Sequence, residues 1–435
     1  MKNFFKSIIA KILQLEAKAV LKKYKPKIVA ITGSVGKTTT KDAIYTVLAE
    51  AHFVRKSMKS FNSEIGLPLT ILGKPNAWSN IFLWIKNIFE GLAVVFLPQK
   101  YPETLVLEVG ADRPGDIKRV GEWLRPDITV ITRLGEVPVH VEYFSSPAAL
   151  KKEKSYLAAA TKPDGFIILN ADDEDVMTFA DLTDAKVLTY GFSERADVRA
   201  SEYAIAYETE KPVGVKYKIT FENKSVEAVI SGTLGRQHVY STLAAAAVGV
   251  ASNMSLEKIA EALRSHETPP GRMKIIDGIY GSVIIDDTYN SSPVAAHEAL
   301  ETLHDISVGS NGRKIAVLGD MLELGEFSPK EHRALGEKTA QSFANVPAVL
   351  VTIGLRAKTI AESAKAASFS SEQIFSFDDS VVAGEFLKGE IKAGDVVLCK
   401  GSQGMRVEKA VIQILKNPED APELLVRQES EWQNR

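Results

Sequence analysis

The stretch ITGSVGKTTTKDAIYTVL, residues 31–48, joins the end of an apolar run to a helical pattern through a short loop with two glycines. Such a loop turns successive backbone N–H groups toward a phosphate, and the positive end of the following helix adds to the attraction. Its lysine supplies a point charge, and the next threonine offers a hydroxyl to Mg²⁺. A turn that only begins a helix does not explain why all these features coincide. The stretch therefore predicts a triphosphate site made by Gly33, Ser34, Val35, Gly36, Lys37, Thr38 and Thr39.

The same apolar run begins a series of β-branched segments that alternate with helical patterns. KIVAI at 27–31 is followed by TLVLEV at 104–109, DITVIT at 127–132 and GFIILN at 165–170. Continuous apolar strands separated by helices predict a mostly parallel sheet that is covered on both faces. Between residues 197 and 233 the period changes to two, which predicts an antiparallel subsheet attached to the same domain.

The alternation of strands and helices starts again after residue 272. Helical patterns at 241–252 and 255–265 lead into TPPGR at 268–272, which is typical of a connection between domains. Beyond it, the runs SVIID, KIAVLG, AVLVTIG and DVVLCKG predict a second, smaller α/β domain with a Rossmann-like arrangement. We therefore divide the chain into an amphipathic helix, a central triphosphate-binding domain, a C-terminal domain and a surface tail, at 1–24, 25–267, 268–418 and 419–435.

Composition restricts the class of protein and its partners. Of the 435 residues, 45% are hydrophobic and 25% are charged, which is typical of a globular protein with more than one core. A formal net charge of -2 gives no general attraction to nucleic acid. Cys399 is the single cysteine, so an internal disulfide and a thiolate zinc cluster are excluded. The single cysteine suits a reducing compartment such as the cytoplasm, and the net charge makes nucleic acid a weak candidate partner. We expect a monomer, although none of these features indicates the oligomeric state.

Two apolar stretches lie outside the predicted sheets. Residues 1–24 place apolar side chains at helical spacing between lysines, without the features of a signal peptide or a membrane span. Packing on the next domain is the favoured interpretation, and docking at a membrane surface is the alternative. Residues 78–96 are apolar but interrupted by Lys86, Asn87 and Glu90, which favours a covering or interfacial helix over a span.

Several charged side chains beyond the loop are candidates for metal binding. Glu108 ends a predicted strand, where the ligands of open α/β sheets gather, and a carboxylate there suits Mg²⁺. His140 lies in a loop at the same edge of the sheet, although a lone histidine is usually structural. Lys151, Lys152 and Lys154 read as a solvated helix face, and nothing in their local pattern distinguishes one from another.

The phosphate loop departs from the general pattern, because Ile31 stands five positions before Gly36 where the pattern has glycine. The shorter form TGSxGKTT resembles that of the Mur ligase family. Motifs similar to those of the MurF branch follow in order: FNSEIGLPLTIL (61–72), LEVGADRPGDI (107–117), LNADD (169–173), PPGR (269–272), IDDTYNSSP (285–293), LGDMLELG (318–325) and KGSQGMRVE (400–408). The resemblance covers roughly residues 25–415, and DDTYN with LGDMLELG is specific to this branch.

The resemblance implies an ATP-dependent ligase that activates a carboxylate as an acyl phosphate. Its reaction would add D-alanyl-D-alanine to a UDP-N-acetylmuramoyl tripeptide in peptidoglycan synthesis, with ATP and two Mg²⁺ ions. By the same resemblance the catalytic residues are Lys37, Glu108, His140 and Lys154. The implied metal ligands are Thr38, Glu108, His140 and a carbamylated Lys154.

The remaining site residues are also implied by the resemblance. Those expected to contact ATP are His238, Arg272 and Asp287. Those expected near the nucleotide-sugar peptide and its acyl phosphate are Asn62, Glu64, Tyr289 and Asn290. Those expected to hold the dipeptide are Asp320, Glu323, Lys400 and Ser402. Taken alone, each of these side chains could equally be an ordinary surface, capping or strand-end group.

Two departures from the family pattern leave alternatives open. The family usually has asparagines where this chain has His238 and Ser241, so the contacts to adenine are not assigned. MurF-type ligases also carry an N-terminal domain that grips the uridine nucleotide, whereas the residues before Gly33 leave room for one helix. A related ligase acting on a different, lipid-linked cell-wall substrate at the membrane is therefore one alternative. A nucleotide-binding regulator without catalysis is the other, although none of the four catalytic positions is altered.

Overall fold

Two sheets, each covered by helices, form the two domains of the chain. The computed structural model describes residues 2–58, 61–78, 80–138, 140–309, 312–429 and 432, with side chains from residue 8 onward. The first sheet contains the strands up to residue 231, and the second contains those from residue 274. This confirms the predicted fold class, whereas the exact domain bounds stay a prediction.

The first sheet has nine strands in the order β2-β3-β1-β4-β5-β6-β7-β8-β9. The strands from β2 to β7 pair in parallel, and β7, β8 and β9 pair antiparallel. This is the predicted parallel sheet with its antiparallel subsheet. The strand bounds are β1 Lys27–Thr32, β2 Val54–Lys56, β3 Thr104–Glu108, β4 Ile128–Ile131, β5 Phe166–Asn170, β6 Lys186–Gly191, β7 Val198–Glu208, β8 Lys211–Phe221 and β9 Lys224–Ser231.

Helices cover both faces of this sheet, because its central strands are apolar on both sides and must be buried on both. One of them, α8, begins at Arg236, earlier than the predicted start at 241. The predicted start was wrong because the buried face of the helix extends further toward its N-terminus, where it includes His238 and Val239. The helix bounds are α1 Lys2–Tyr24, α2 Lys37–Ala49, α3 Gly66–Leu72, α4 Ile81–Phe96, α5 Asp116–Leu124, α6 Pro147–Ala159, α7 Glu174–Met177, α8 Arg236–Ala251 and α9 Leu256–Arg264.

The second sheet has six strands in the order β10-β11-β15-β12-β13-β14, of which only β10 is antiparallel. The strand bounds are β10 Lys274–Asp277, β11 Val283–Asp287, β12 Lys314–Gly319, β13 Ala348–Ile353, β14 Ile374–Phe377 and β15 Val396–Lys400. The helix bounds are α10 Pro293–Asp305, α11 Ser328–Ser342, α12 Lys358–Ala366, α13 Ser380–Glu390, α14 Glu408–Ile414 and α15 Ala421–Leu424. The predicted second α/β domain is therefore confirmed.

Strand register places charged side chains at one edge of each sheet. In the first sheet Glu108 pairs with Ile31, directly before the phosphate loop. In the second sheet Asp287 pairs with Lys400. Since the carboxyl ends of parallel strands meet at one edge, each sheet contributes a polar edge to the space between the domains.

The two apolar stretches form a pair of helices on the first domain. The inner face of α1 packs against α3 and α4, and these helices share one apolar core with β1 and β3. Among the helices of the described residues, none is both long and apolar enough to cross a membrane.

The segment expected to be a surface tail is partly packed. Arg427 is buried and binds Glu408, so this part of the chain is fixed against the C-terminal domain. Its burial follows from a charge pair that the composition of the segment does not reveal.

Candidate active site

The phosphate loop is held in a conformation that only glycine adopts easily. Gly36 has φ 84° immediately before α2, in the left-handed region. A Cβ at Gly33 would lie 2.0 Å from the Thr132 hydroxyl. The N–H groups of Ser34 and Val35 donate to the carbonyl of Arg133 at 2.8 and 3.2 Å. The loop is thus anchored to the chain that follows β4.

Lys37 lies at the first position of α2, and its ammonium turns back over the loop. It donates to the Gly33 carbonyl at 2.9 Å. Burial lowers the pKa of Lys37, while the nearby Glu108 carboxylate opposes this shift. Its amino group thus lies at the loop, where a triphosphate site has its lysine.

A buried carboxylate lies beside the loop. Glu108 is 1% exposed, and its two oxygens accept from the Thr38 hydroxyl at 2.9 Å and from the Asn62 amide at 3.2 Å. The Arg272 guanidinium donates to the same Thr38 hydroxyl at 3.1 Å. Residues predicted from four separate motifs therefore meet at one point.

Lys154 reaches the loop from α6. Its side chain is 5% exposed, and its ammonium donates to the Ser34 hydroxyl at 2.8 Å. Burial, and then the charge of Lys37, lower the pKa of Lys154 well below its ordinary value. Of its two neighbours, Lys151 pairs with Asp175, and the other is exposed. The fold therefore distinguishes the lysine that sequence pattern could not.

The second domain supplies a matching set of charges. The Lys400 ammonium donates to Asp287 at 2.5 Å and to the Asn290 carbonyl at 3.1 Å, and both charged groups are buried. The Arg272 guanidinium lies over the Tyr289 ring, 4.1 Å from its centroid. The ring thus orients the linker arginine toward the first domain.

These groups line one cavity of about 230 Å³ between the two domains. Fifteen of the predicted residues line it: Ser34, Val35, Gly36, Lys37, Thr38, Thr39, Asn62, Glu108, His140, His238, Arg272, Asp287, Tyr289, Asn290 and Lys400. Gly33 and Lys154 adjoin the lining through their hydrogen bonds to Lys37 and Ser34. A larger cavity of about 870 Å³, rich in carboxylates, continues from it past Gln237 and Glu298.

Comparison with known proteins identifies the family. The model for the Mur ligase middle domain matches residues 31–84 and 90–249, and that for the Mur ligase, glutamate ligase domain matches residues 271–403. The UDP-N-acetylmuramoyl-tripeptide–D-alanyl-D-alanine ligase of Mycobacterium leprae (strain TN) is 30% identical over 405 residues, covering 87% of this chain and 71% of that protein.

The chain belongs to the Mur ligase family.

Further relatives support the predicted branch of the family. The ligase of the same name from Bacillus subtilis (strain 168) is 29% identical over 407 residues, covering 93% of this chain and 79% of that protein. Among solved structures, the MurF ligase from Thermotoga maritima in complex with ADP has a TM-score of 0.75 at 26% identity, covering 95% of this chain and 84% of that one. The predicted family, its MurF branch and its class as an ATP-dependent ligase are confirmed.

His140 of this Mur ligase is already bound by a carboxylate from the other domain. Its Nδ1 lies 2.7 Å from the Glu323 carboxylate, and this hydrogen bond lowers the pKa of Glu323. Both residues have positive φ, 69° and 63°, so the contact joins two strained turns. The predicted metal ligand and the predicted dipeptide ligand therefore form a bridge between the domains.

Four predicted substrate residues, Glu323 among them, lie outside the cavity lining. Asp320 accepts from the N–H of Ala357 at 2.7 Å, and Ser402 accepts from the N–H of Leu322 at 2.8 Å. Both side chains are buried where they fix loops of the C-terminal domain. Glu64 is exposed and lies outside the cavity. These side chains therefore do not line the cavity, and their contacts to substrate stay a prediction.

His238 lines the cavity without a hydrogen bond. It is 3% exposed, and neither ring nitrogen has a partner among the described residues. Burial, as the main cause, lowers its pKa to about 3, so the ring is neutral near pH 7. A neutral imidazole has one donor nitrogen and one acceptor nitrogen. Both therefore lie in the wall of the site without a hydrogen-bond partner among the described residues.

The described residues contain no group of three or more His, Cys, Asp and Glu side chains placed to hold a metal. Mg²⁺ in nucleotide sites is often bound by one or two carboxylates together with phosphates and water. The pair of Glu108 and Thr38, with oxygen atoms 2.9 Å apart, fits that chemistry.

Sequence analysis missed three residues that shape the site. The Arg427 guanidinium donates to the carbonyls of Thr288 and Tyr289, and so fixes the turn that carries Asn290. Arg133 pairs with Glu298 across the domain boundary. No local sequence pattern identifies these residues. Arg427 lies in a segment that reads as a tail, and Arg133 and Glu298 lie far apart in the sequence and in different domains.

Proposed function

We propose that this Mur ligase adds D-alanyl-D-alanine to the peptide of a UDP-N-acetylmuramoyl tripeptide, with conversion of ATP to ADP and phosphate, in the cytoplasm. The observation that carries the proposal is the cavity in which Lys37 and Glu108 face Arg272 and Asp287 from the other domain. The names of the relatives that are 29% and 30% identical supply the choice of substrates.

The first step of the proposed reaction is phosphoryl transfer. A carboxylate oxygen of the tripeptide attacks the γ-phosphorus of ATP, the bond to the β-phosphate oxygen breaks, and ADP leaves. Such a step needs positioning and charge neutralisation more than covalent help from the protein. Lys37 would exchange its contact with the Gly33 carbonyl for the phosphates, and Arg272 stands beside it to share the charge.

The second step forms the amide. The dipeptide nitrogen attacks the acyl carbon, phosphate leaves with the electrons of the C–O bond, and the departing phosphate takes up the proton that the nitrogen loses. Because water would hydrolyse the acyl phosphate, the site must be closed between the domains during both steps. The bridge of His140 to Glu323 and that of Arg133 to Glu298 are contacts through which the two domains hold that closure.

Two Mg²⁺ ions are part of the proposal. When bound, they would neutralise charge on the phosphates. Glu108 and the Thr38 hydroxyl are proposed to hold one ion, and His140 with a carbamylated Lys154 the other. A neutral amine is the form that reacts with CO₂, so the low pKa of Lys154 supports carbamate formation at that position.

A lipid-linked acceptor is the alternative substrate. The observation that favours it is the exposed apolar face of α4, which includes Phe82 and Phe89. An enzyme that contacts a bilayer through this face could meet an acceptor that resides there. Peripheral membrane contact is therefore part of the alternative.

Mass spectrometry of the products distinguishes the substrates. The chain is incubated with ATP, Mg²⁺ and D-alanyl-D-alanine, together with either a UDP-linked tripeptide or a lipid-linked precursor. We expect dipeptide addition to the UDP-linked acceptor, and none with Lys37→Ala. Exclusive addition to the lipid-linked acceptor would reject the choice of substrate. If the rate of phosphate release from ATP were the same with and without the acceptor and the dipeptide, the proposed ligase reaction would be rejected.

A further inference from the structure

The outer face of α4 exposes large apolar side chains along its whole length. Phe82, Phe89 and Phe96 are 78%, 68% and 76% exposed, and Ile85 and Leu92 lie between them. The spacing of three or four residues places all five side chains on one stripe of the helix. We call this stripe the α4 face. With 16 residues in α4, it extends for about 24 Å.

The helix that carries the α4 face is firmly attached to the domain. Its opposite side buries Trp84, Gly91 and Val94. The Asn80 side chain caps its N-terminus by accepting from the N–H groups of the first turn. At the other end, the Lys23 ammonium donates to the carbonyl of Leu97 at 2.7 Å. The exposed stripe therefore belongs to a fixed helix and not to a frayed segment.

The helix packed beside α4 carries a surplus of lysines. The neighbouring helix α1 has one acidic residue, Glu16, and that residue is buried. The lysines exposed on α1 and directly after it are Lys11, Lys18, Lys22, Lys23 and Lys25. Within α4 the only acidic residue is Glu90, which is bound to Lys74 at 2.8 Å. The surface thus combines a projecting apolar stripe with a surplus of lysines.

We propose that the α4 face docks onto an anionic lipid bilayer, with α4 lying in the plane of the interface. The phenylalanine side chains enter the boundary of headgroups and acyl chains, and the lysines of α1 contact anionic headgroups. Trp78, exposed just before the helix, lies at the same boundary, where indole rings are enriched. The surplus of lysines favours a bilayer over a second copy, since a copy would bring the same positive charge. This inference goes beyond the proposed function, because the reaction does not require it.

Vesicle sedimentation tests the apolar part of the surface. The full chain is mixed with vesicles of phosphatidylcholine alone or with 30% phosphatidylglycerol, about the charge of an anionic membrane. We expect binding to the anionic vesicles. The triple variant Phe82→Ser, Phe89→Ser, Phe96→Ser should bind at least about tenfold more weakly. The matched control is Leu355→Ser, which removes an equally exposed apolar side chain from the second domain and should bind as the wild type does.

A second pair of variants tests the charges. Lys11→Gln, Lys22→Gln, Lys25→Gln should weaken binding to anionic vesicles about fivefold per lysine and should not affect the neutral ones. The control Lys330→Gln, Lys365→Gln, Lys388→Gln makes the same change in net charge with exposed lysines of the second domain, and should have little effect. If both triple lysine variants lost the same amount of binding to anionic vesicles, net charge alone would explain the binding, and the proposal would be overturned.

Fluorescence and sedimentation together decide the occupant. Brominated lipids should quench the emission of Trp78, and the loss of quenching in Trp78→Phe would locate it at the bilayer. Two further results would overturn the proposal. One is no binding to either vesicle. The other is a dimer in light scattering that the phenylalanine variant abolishes, which would identify a second copy as the occupant. Phosphate release from ATP in solution, measured for every variant, verifies that each one is folded.

Discussion

At the scale of single residues, chemistry in this site depends on where the fold removes water. Lys154 and Lys152 are two positions apart on one helix, yet one is buried against Ser34 and the other is exposed. Because burial disfavours the charged form of an amine, the pKa of Lys154 is lowered, which favours its neutral, nucleophilic form. The same argument makes His238 neutral while it faces the cavity.

Replacement of Lys154 by alanine should lower kcat by about 10² to 10³, the range found when one preorganised electrostatic group is lost from an active site. Lys154→Arg should not restore activity, because a guanidinium stays protonated and forms no carbamate. Steady-state ligase assays measure both effects. Short carboxylic acids such as acetate, added to Lys154→Ala, should recover part of the rate by replacing the carbamate.

The control for this prediction is Lys152→Ala, which removes an exposed lysine of the same helix and should leave kcat unchanged. If Lys154→Arg were fully active, a protonated cation would suffice at this position, and the proposed carbamate would be excluded.

At the scale of elements, a few buried ionisable groups influence stability alongside apolar packing. Glu16 of α1 is buried against Gly91 of α4, and neither carboxylate oxygen has a hydrogen-bond partner among the described residues. Burial raises its pKa to about 7. Near the C-terminus, Arg427 and Glu408 form a buried pair, and Arg427 also donates to the turn that carries Asn290.

Glu16→Gln should stabilise the protein at pH 8 but not at pH 4. The folded pKa of about 7 is raised above the ordinary value, so the favourable contribution of the protonated group is complete below about pH 4.5 and is lost as pH rises toward 7. Allowing for solvent screening, we expect a gain of about 1 kcal/mol at pH 8 in urea unfolding. An equal gain at both pH values would show that the charge of Glu16 is not the cause.

Arg427→Ala should lower the free energy of unfolding by about 3 kcal/mol, because it leaves Glu408 buried with a weaker set of partners. The loss also frees the carbonyls of Thr288 and Tyr289, so KM for ATP should rise. Urea unfolding and steady-state kinetics measure the two effects. Lys416→Ala, which removes an exposed cation from the same region, should change neither. Normal stability in Arg427→Ala would mean that the last segment contributes nothing to the turn.

At the scale of the whole molecule, the site exists only where the two domains face each other. The first domain supplies the phosphate loop and Glu108, and the second supplies Asp287 and Lys400. Arg272, in the connection between them, touches Thr38 on one side and Tyr289 on the other. Neither domain alone presents a complete set of charges for a triphosphate and two further substrates.

Arg272→Lys should lower kcat by about 10³ while leaving stability nearly unchanged, since lysine keeps the charge but loses the planar stacking on Tyr289. The measurement is kcat at saturating ATP, with urea unfolding as the check on stability. Arg264→Lys, an exposed arginine on α9, is the matched control and should retain full activity. A variant with normal kcat would show that any cation in the linker suffices.

The sequence by itself determined the two α/β domains, the phosphate loop and the family. Strand and helix periods, and the contiguous loop of residues 33–39, depend on neighbours along the chain, and such patterns can be read without the fold. The strands β2, β6, β10 and β14 were missed because each is only partly buried, so their apolar patterns were weak. The early start of α8 was missed because its first turn has mixed polarity.

Only the tertiary structure decided which side chains meet. Lys154 and Ser34 are 120 positions apart, Lys400 and Asp287 are 113 apart, and Arg272 bonds across 234 positions to the phosphate loop. The local sequence pattern determines whether a residue lies in a helix or a strand. Contacts between side chains that are far apart in the sequence depend on how those helices and strands pack. Burial, pKa and charge pairing all follow from that packing, and so the chemistry of this site was settled only when its two domains came together.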